Sequence, residues 1–300
     1  MQKKIFLLIA TAFFVSNHLF AQDVVAKKDT SYWKKKAQFG ANFNQSGFSD
    51  SWAPGGASSY GLNLFFNKKG EYARDKTTWV NDLQLQIGFI DAGNGVRKSI
   101  DRIFFDSKVG HKLSKTWSLV GGLNFQTQFV QGFNYTGRAD GGPLKNSNFL
   151  APAFLTEYVG LEWKPKPHFN VVFAPAALRQ TIVNTDDVRE VKGGIKQTAY
   201  GVPFGQELKN DVGIVQITAN YDKDIAKNVN LKLRYNLFID ANKLASMDNR
   251  LDAKLAAKIN KYFSATFDLI ALYDDDLGTD KQRYNIQLAH NIGLGFLYTF

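Results

Sequence analysis

Residues Val229–Asp240 read Val-Asn-Leu-Lys-Leu-Arg-Tyr-Asn-Leu-Phe-Ile-Asp. Val229, Leu231, Leu233, Tyr235, Leu237 and Ile239 alternate with Asn230, Lys232, Arg234, Asn236, Phe238 and Asp240. A period of two with one apolar and one mainly polar row is the pattern of a β-strand with one face on something apolar and the other on something wet. The same alternation recurs along the chain. Ala37 to Phe43, Tyr60 to Phe66 and Leu83 to Phe89 each carry an apolar row, the third backed by Asp82, Gln84 and Gln86. Further rows run through Ile103 to Val109, Trp117 to Phe129, Leu251 to Ile259, Phe263 to Leu269 and Ile286 to Phe300, with weaker ones at Ala153–Trp163, Phe169–Ala177 and Gly213–Tyr221. About twelve strands result, the even number that single-chain outer-membrane barrels have.

Alternation alone also describes a soluble β-sandwich, so the connections matter. Short ones (Leu113-Ser114-Lys115, Lys164 to Pro167, Lys223 to Asn228, Asn260-Lys261) alternate with mostly longer, polar or Gly-rich ones (Gln45 to Gly56, Gln131 to Asn148, Thr181 to Gln206, Asp274 to Arg283). A barrel with short periplasmic turns and long external loops has this asymmetry, and a sandwich has no reason for it. Trp33, Trp79, Trp117 and Trp163 fall at the strand ends that this reading makes periplasmic, as an interfacial aromatic girdle requires. The expected fold is therefore all-β: a closed antiparallel transmembrane β-barrel of about 12 strands, with short periplasmic turns and long extracellular loops.

The start of the chain agrees with export. Lys3 and Lys4 precede the apolar run Ile5–Val15, and small Ala21 stands ahead of a polar stretch, which reads as a signal peptide over 1–21. Residues 22–36 read as a periplasmic N-terminal segment and 37–300 as the barrel. No later stretch offers the roughly 20 consecutive apolar residues of a membrane helix, so insertion after export uses strands. Cysteine is absent, which removes disulfides and thiolate metal sites. The formal charge of +10 points, in an exported protein, to anionic headgroups and lipopolysaccharide phosphates rather than to nucleic acid. The final strand closes on an alternating apolar and aromatic row ending at Phe300, the form of the signal by which barrel assembly machinery recognises its clients.

Phe39-Gly40-Ala41-Asn42-Phe43-Asn44-Gln45 is followed by Ser51-Trp52-Ala53-Pro54-Gly55-Gly56 and then a strand. This resembles the N-terminal signature of the domain-of-unknown-function 3078 family of Bacteroidota outer membranes, an Asn-Gln pair followed by a Trp-x-x-Gly-Gly loop. Asn usually precedes the Trp there, and Ser51 stands in that place here. The resemblance implies the barrel and the outer membrane, and it supplies no activity. Pro54-Gly55-Gly56 suits a tight turn, since Pro fixes φ and Gly permits positive φ. Trp52 then acts as a latch or plug, or touches a ligand.

Chemistry is sparse. His111, His168 and His290 are the histidines after residue 21. His290 lies in the last apolar row with no serine motif suited to it, so a nucleophile–base–orienter set is not expected. Asp274-Asp275-Asp276 with Asp280, and Asp186-Asp187, lack the Asp-x-Asp-x-Asp-Gly frame of a calcium loop and read as solvated acidic loops. No catalytic, cofactor or metal residues are predicted. The polar rows instead nominate lumen-lining residues: Asp82, Gln84, Gln86, Lys232, Arg234, Asp252, Lys254, Lys258 and Asp268. Opposite charges there pair across strands and fill the interior, or line a narrow aqueous path. The expected function is a non-enzymatic small-solute channel or transporter of the outer membrane. The alternatives are an interaction barrel binding a partner or lipopolysaccharide through its loops, and a lipid-modifying enzyme.

Overall fold

In a computed structural model of the chain, residues 32–46, 59–93, 95–135, 143–192, 194–242, 247–273 and 286–300 are described. The strands are β1 (Trp33–Ser46), β2 (Ser59–Arg74), β3 (Thr77–Asp91), β4 (Val96–Lys112), β5 (Trp117–Thr127), β6 (Gly132–Asn134), β7 (Leu144–Ser147) and β8 (Ala153–Lys166). They continue as β9 (Phe169–Ile182), β10 (Val191–Lys192), β11 (Ile195–Lys196), β12 (Leu208–Ala226), β13 (Val229–Asp240), β14 (Met247–Lys258), β15 (Phe263–Tyr273) and β16 (Gln287–Thr299). Twelve of them form one closed antiparallel ring in the order β1-β2-β3-β4-β5-β8-β9-β12-β13-β14-β15-β16, with β16 back on β1. β6–β7 and β10–β11 are small hairpins inside the two longest described connections.

The twelve alternating stretches are the twelve ring strands. Even the shortest, β5 and β15 at 11 residues, reach the length needed to cross a bilayer at a tilt. Several strands outrun their apolar rows. β1 begins at Trp33, four residues ahead of Ala37, and β12 runs on to Ala226, so the turn after it is only Lys227-Asn228. The turns Asp75-Lys76 and Lys227-Asn228 place Asp75 (φ 52°) and Asn228 (φ 63°) in the left-handed region, where these two residue types are best tolerated. Two connections depart from the long-and-short rule: β3 to β4 and β13 to β14 are short, although they lie on the long-loop rim.

The outward rows are apolar and uncovered. Ile292 and Leu294 are 68% and 62% exposed, and Phe43, Leu62, Val159, Leu161 and Phe173 are likewise exposed. A water-soluble sandwich would bury such rows between its sheets; a ring that turns them outward all round requires hydrocarbon as its surroundings. The fold is that of an outer-membrane β-barrel.

Closure is made between β1 and β16. Ala37 N donates to Phe300 O at 2.8 Å and Phe300 N to Ala37 O at 2.9 Å, and the register continues through Phe39 with Tyr298 and Phe43 with Leu294. Two glycines let side chains lie flat over this seam. A Cβ on Gly40 would stand 2.1 Å from Phe65 Cζ, and one on Gly295 would stand 1.7 Å from Asn42 Oδ1 and 2.6 Å from Ala41 O. On the far side of the barrel the ladder breaks three times in adjacent pairs: at Val159/Leu161 against β9, opposite Pro175, and at Gly213/Val215 against β13. Pro175 has no N–H to give, and bulges absorb the gap.

Candidate functional site

Every residue nominated for the lumen lies on the inward row of its strand. Asp82, Gln84 and Gln86 face in from β3, opposite Asp106, Phe104 and Arg102 of β4. Lys232 and Arg234 of β13 stand opposite Lys254 and Asp252 of β14, and Lys254 stands opposite Asp268 of β15. The ladder spaces such neighbours closely enough to pair. Lys254 meets Asp268 at 3.1 Å, and Lys232 meets Asp222 of β12 at 3.1 Å. Lys258 takes the inward position opposite Ser264 near the short-turn rim, away from the cluster.

The centre of the lumen contains more than cross-strand pairs. Arg102 Nη1 lies 3.9 Å from Asp252 Oδ1, and β4 and β14 are six strands apart whichever way the ring is followed. Arg234 Nη2 lies 3.7 Å from Asp106 Oδ1, five strands away by the shorter way. Asp252 also takes a bidentate grip from Arg250, Nε to Oδ2 at 2.8 Å and Nη2 to Oδ1 at 2.7 Å. The buried ring of Phe104 sits among them, with the guanidinium carbons of Arg102 and Arg234 at 4.5 and 5.0 Å from its centroid. Opposite walls therefore touch at the waist. Around this layer, Lys108 holds Glu162 at 2.5 Å, Asn170 donates to the same carboxylate, and Arg179 pairs with Asp248 beneath the Phe238 ring.

Arg102, Phe104, Asp106, Glu162, Arg179 and Arg250 were not legible as site residues. In β4, adjacent Phe104 and Phe105 point to opposite faces and blur the alternation, and nothing in a single strand says which distant strand it will meet.

The outer rims are separately organised. Trp33 stands opposite Tyr72, which stands opposite Trp79; Trp117 stands opposite Trp163. The ring centroids of Trp33 lie 5.4 Å from Tyr72 and 5.5 Å from Trp79, and Trp163 is 6.1 Å from Phe169. Tyr262 stacks on Phe296, and Tyr298 lies beside Phe300. All of these are at the short-turn rim. Of the loop motif, Asn44 is on the inward row of β1 opposite Gly61, and Gln45 stands opposite Tyr60. Trp52, Pro54, Gly55 and Gly56 lie outside the described residues, as do Asp274, Asp275, Asp276 and Asp280.

At the long-loop rim, residues 143–152 and 183–207 share a small core of Ala151, Val183, Val188, Ala199 and Val202. Buried Arg189 holds it together. Its Nε donates to Asp186 Oδ1 at 2.8 Å, Nη1 to Val202 O at 2.7 Å and Nη2 to Gln206 O at 2.8 Å. Tyr200 donates to Asn146 O, and burial raises its phenol above the ordinary range. Asp186 and Asp187 are committed to Arg189, Lys196 and Lys145. Arg189→Ala would leave buried carbonyls without a donor, at a local cost of about 3 kcal/mol. Limited proteolysis should then cut within 183–207 on the order of 100 times faster, with the barrel intact. His290 faces outward from β16 opposite Leu269, remote from the lumen cluster.

Residues 43–133 match the family described as Protein of unknown function (DUF3078). That span takes in the Asn44-Gln45 pair and the 52–56 loop on which the resemblance rests, and β1 and β2, which flank the loop, open the ring. Among curated proteins, none matches the chain in sequence. Solved structures with similar architecture include an outer membrane channel from Pseudomonas putida F1, with 8% identity, TM-score 0.41 and coverage of 92% of this chain and 100% of that one. The translocator domain of the autotransporter NalP from Neisseria meningitidis gives 12% identity and TM-score 0.40, covering 99% and 96%. The NanC porin gives 10% and 0.37, covering 88% and 97%.

Proposed function

We propose that the chain is a small-solute channel of the outer membrane whose aqueous path is narrowed at the waist by the cluster around Phe104. The observation that carries this reading is the inward row itself. From Lys232 near one rim to Asp240 near the other, the inward row of β13 is polar or charged at every position but Phe238, which suits water and ions in the lumen rather than a dry core. A twelve-strand ring is close to the size at which side chains reaching from opposite walls nearly fill the interior, so contacts such as Arg102 to Asp252 leave a constriction. The Trp33–Trp79 and Trp117–Trp163 rim is read as the periplasmic interface belt. The β16 row ending at Phe300 is read as the assembly signal, and lipopolysaccharide as the neighbour of the outer rim. In planar bilayers the refolded protein should show small, discrete conductance steps in potassium chloride. A protein that inserts, shown by heat-modifiable gel mobility, yet stays silent across salts would overturn the channel.

A second reading draws on the platform built around Arg189. A loop pair with its own core and a buried arginine is more order than a passive connection needs, and it suits an interaction barrel that presents a fixed surface to a partner.

A further inference from the structure

The waist holds two guanidiniums that make no hydrogen bond to the described residues and, beside them, two carboxylates that face one another. Arg102 and Arg234 each carry five N–H donors. Their nearest carboxylates stand at 3.9 and 3.7 Å, beyond hydrogen-bond length. Arg102 Nε is buried with no acceptor. Asp252 is already engaged bidentately by Arg250, and Asp106 accepts from the Asn124 amide at 3.3 Å. Both guanidiniums thus lie against the Phe104 ring with no hydrogen-bond acceptor among the described residues, and their planar forks match a carboxylate. Beside them, Asp82 and Asp106 stand directly opposite one another across β3 and β4, a like-charge pair whose cationic neighbours are Lys69, opposite Asp82 on β2 and paired with Glu71 at 2.6 Å, and Arg234, 3.7 Å from Asp106; a cation between the two carboxylates would relieve their repulsion. The Gln84 amide, at 3.0 Å from Asp82, gives a hydrogen bond but no charge.

We infer that the waist is a binding site for a small zwitterion, a solute with one carboxylate and one ammonium group such as an amino acid or dipeptide. Its carboxylate enters the forks of Arg102 and Arg234, and its ammonium lies between Asp82 and Asp106. Arg102, Arg234 and Arg250 balance Asp82, Asp106 and Asp252 in charge, so a ligand of zero net charge fills both sets without unbalancing either. A simple anion would satisfy the arginines and worsen the carboxylate pair. The inference rests on the channel reading and names its solute class, but binding does not require conduction, so the two are tested apart.

The test is isothermal titration of the refolded barrel in detergent with three probes: alanyl-alanine, its N-acetyl derivative and its C-terminal amide. Saturable binding of alanyl-alanine is expected, with each derivative at least about tenfold weaker, a difference of roughly 1.4 kcal/mol. R102Q/R234Q should weaken alanyl-alanine by at least about tenfold, and D82N should weaken it while leaving the N-acetyl derivative unchanged or tighter. R102K/R234K, which keeps the charge and loses the fork, serves where the glutamine pair fails to fold, and it should also weaken binding. No saturable binding of alanyl-alanine, equal binding of all three probes, or binding unaffected in a folded variant would overturn the site. A silent bilayer with intact binding would overturn the channel and leave the site standing.

Discussion

Gly295→Val is expected to yield no closed barrel: the heat-modifiable band of the folded protein should be lost, and the chain should remain fully sensitive to protease. The reason is local and severe. A single added carbon at Gly295 would lie 2.6 Å from the Ala41 carbonyl as well as 1.7 Å from Asn42 Oδ1. The amide could swing aside, but the carbonyl belongs to β1, and moving it parts the seam. In hydrocarbon an open seam exposes a row of unpaired N–H and C=O groups, each costing several kcal/mol. The natural comparison is Gly121→Ala on the outer wall, where the nearest atom to a new Cβ is Tyr158 O at 3.8 Å. That variant should fold within about 0.5 kcal/mol of the parent. If Gly295→Val folds as well as Gly121→Ala, closure does not depend on the glycine.

Arg102→Ala should raise unit conductance roughly threefold or more, because it withdraws the arm that crosses the lumen and leaves the Arg250–Asp252 pair whole. Little stability should be lost, about 1 kcal/mol or less, since Arg102 makes no hydrogen bond that its removal would break. Asp252→Ala offers the contrast. It also clears the bridge, but it leaves the Arg250 guanidinium without its bidentate partner in a largely enclosed site. A cost of about 3 kcal/mol is expected, read as a lower urea midpoint in lipid vesicles. Equal conductance in the parent and Arg102→Ala would mean that the ion path does not pass this cluster.

These two cases mark where sequence was informative. Strand existence, number and facing were legible because a two-residue period is local: Val229–Asp240 displays both of its faces without reference to any other strand. Even the weak stretches from Ala153 to Tyr221 became β8, β9 and β12. Their pattern is faint for a physical reason, since Pro175 and the adjoining bulges shift the inward and outward assignment partway along. The inward facing of Asp82, Lys232, Asp252 and the others nominated with them was legible by the same parity. The seam and the waist were not. Whether Gly40 faces Phe65, or Arg102 reaches Asp252, depends on ring size and strand stagger, which no single strand encodes. The aromatic rim was visible because strand ends are marked by turns, and turns are local too.

The waist cluster has an electrical consequence. Three guanidiniums and three carboxylates share one layer, so a rearrangement that merely exchanges partners carries almost no net charge along the barrel axis. A transmembrane potential does work of about 2.3 kcal/mol per elementary charge per 100 mV, and here it finds almost nothing to pull. If the barrel conducts as proposed, voltage is therefore a poor lever on the waist, whereas dissolved ions, which weaken each pair by screening, act on it directly.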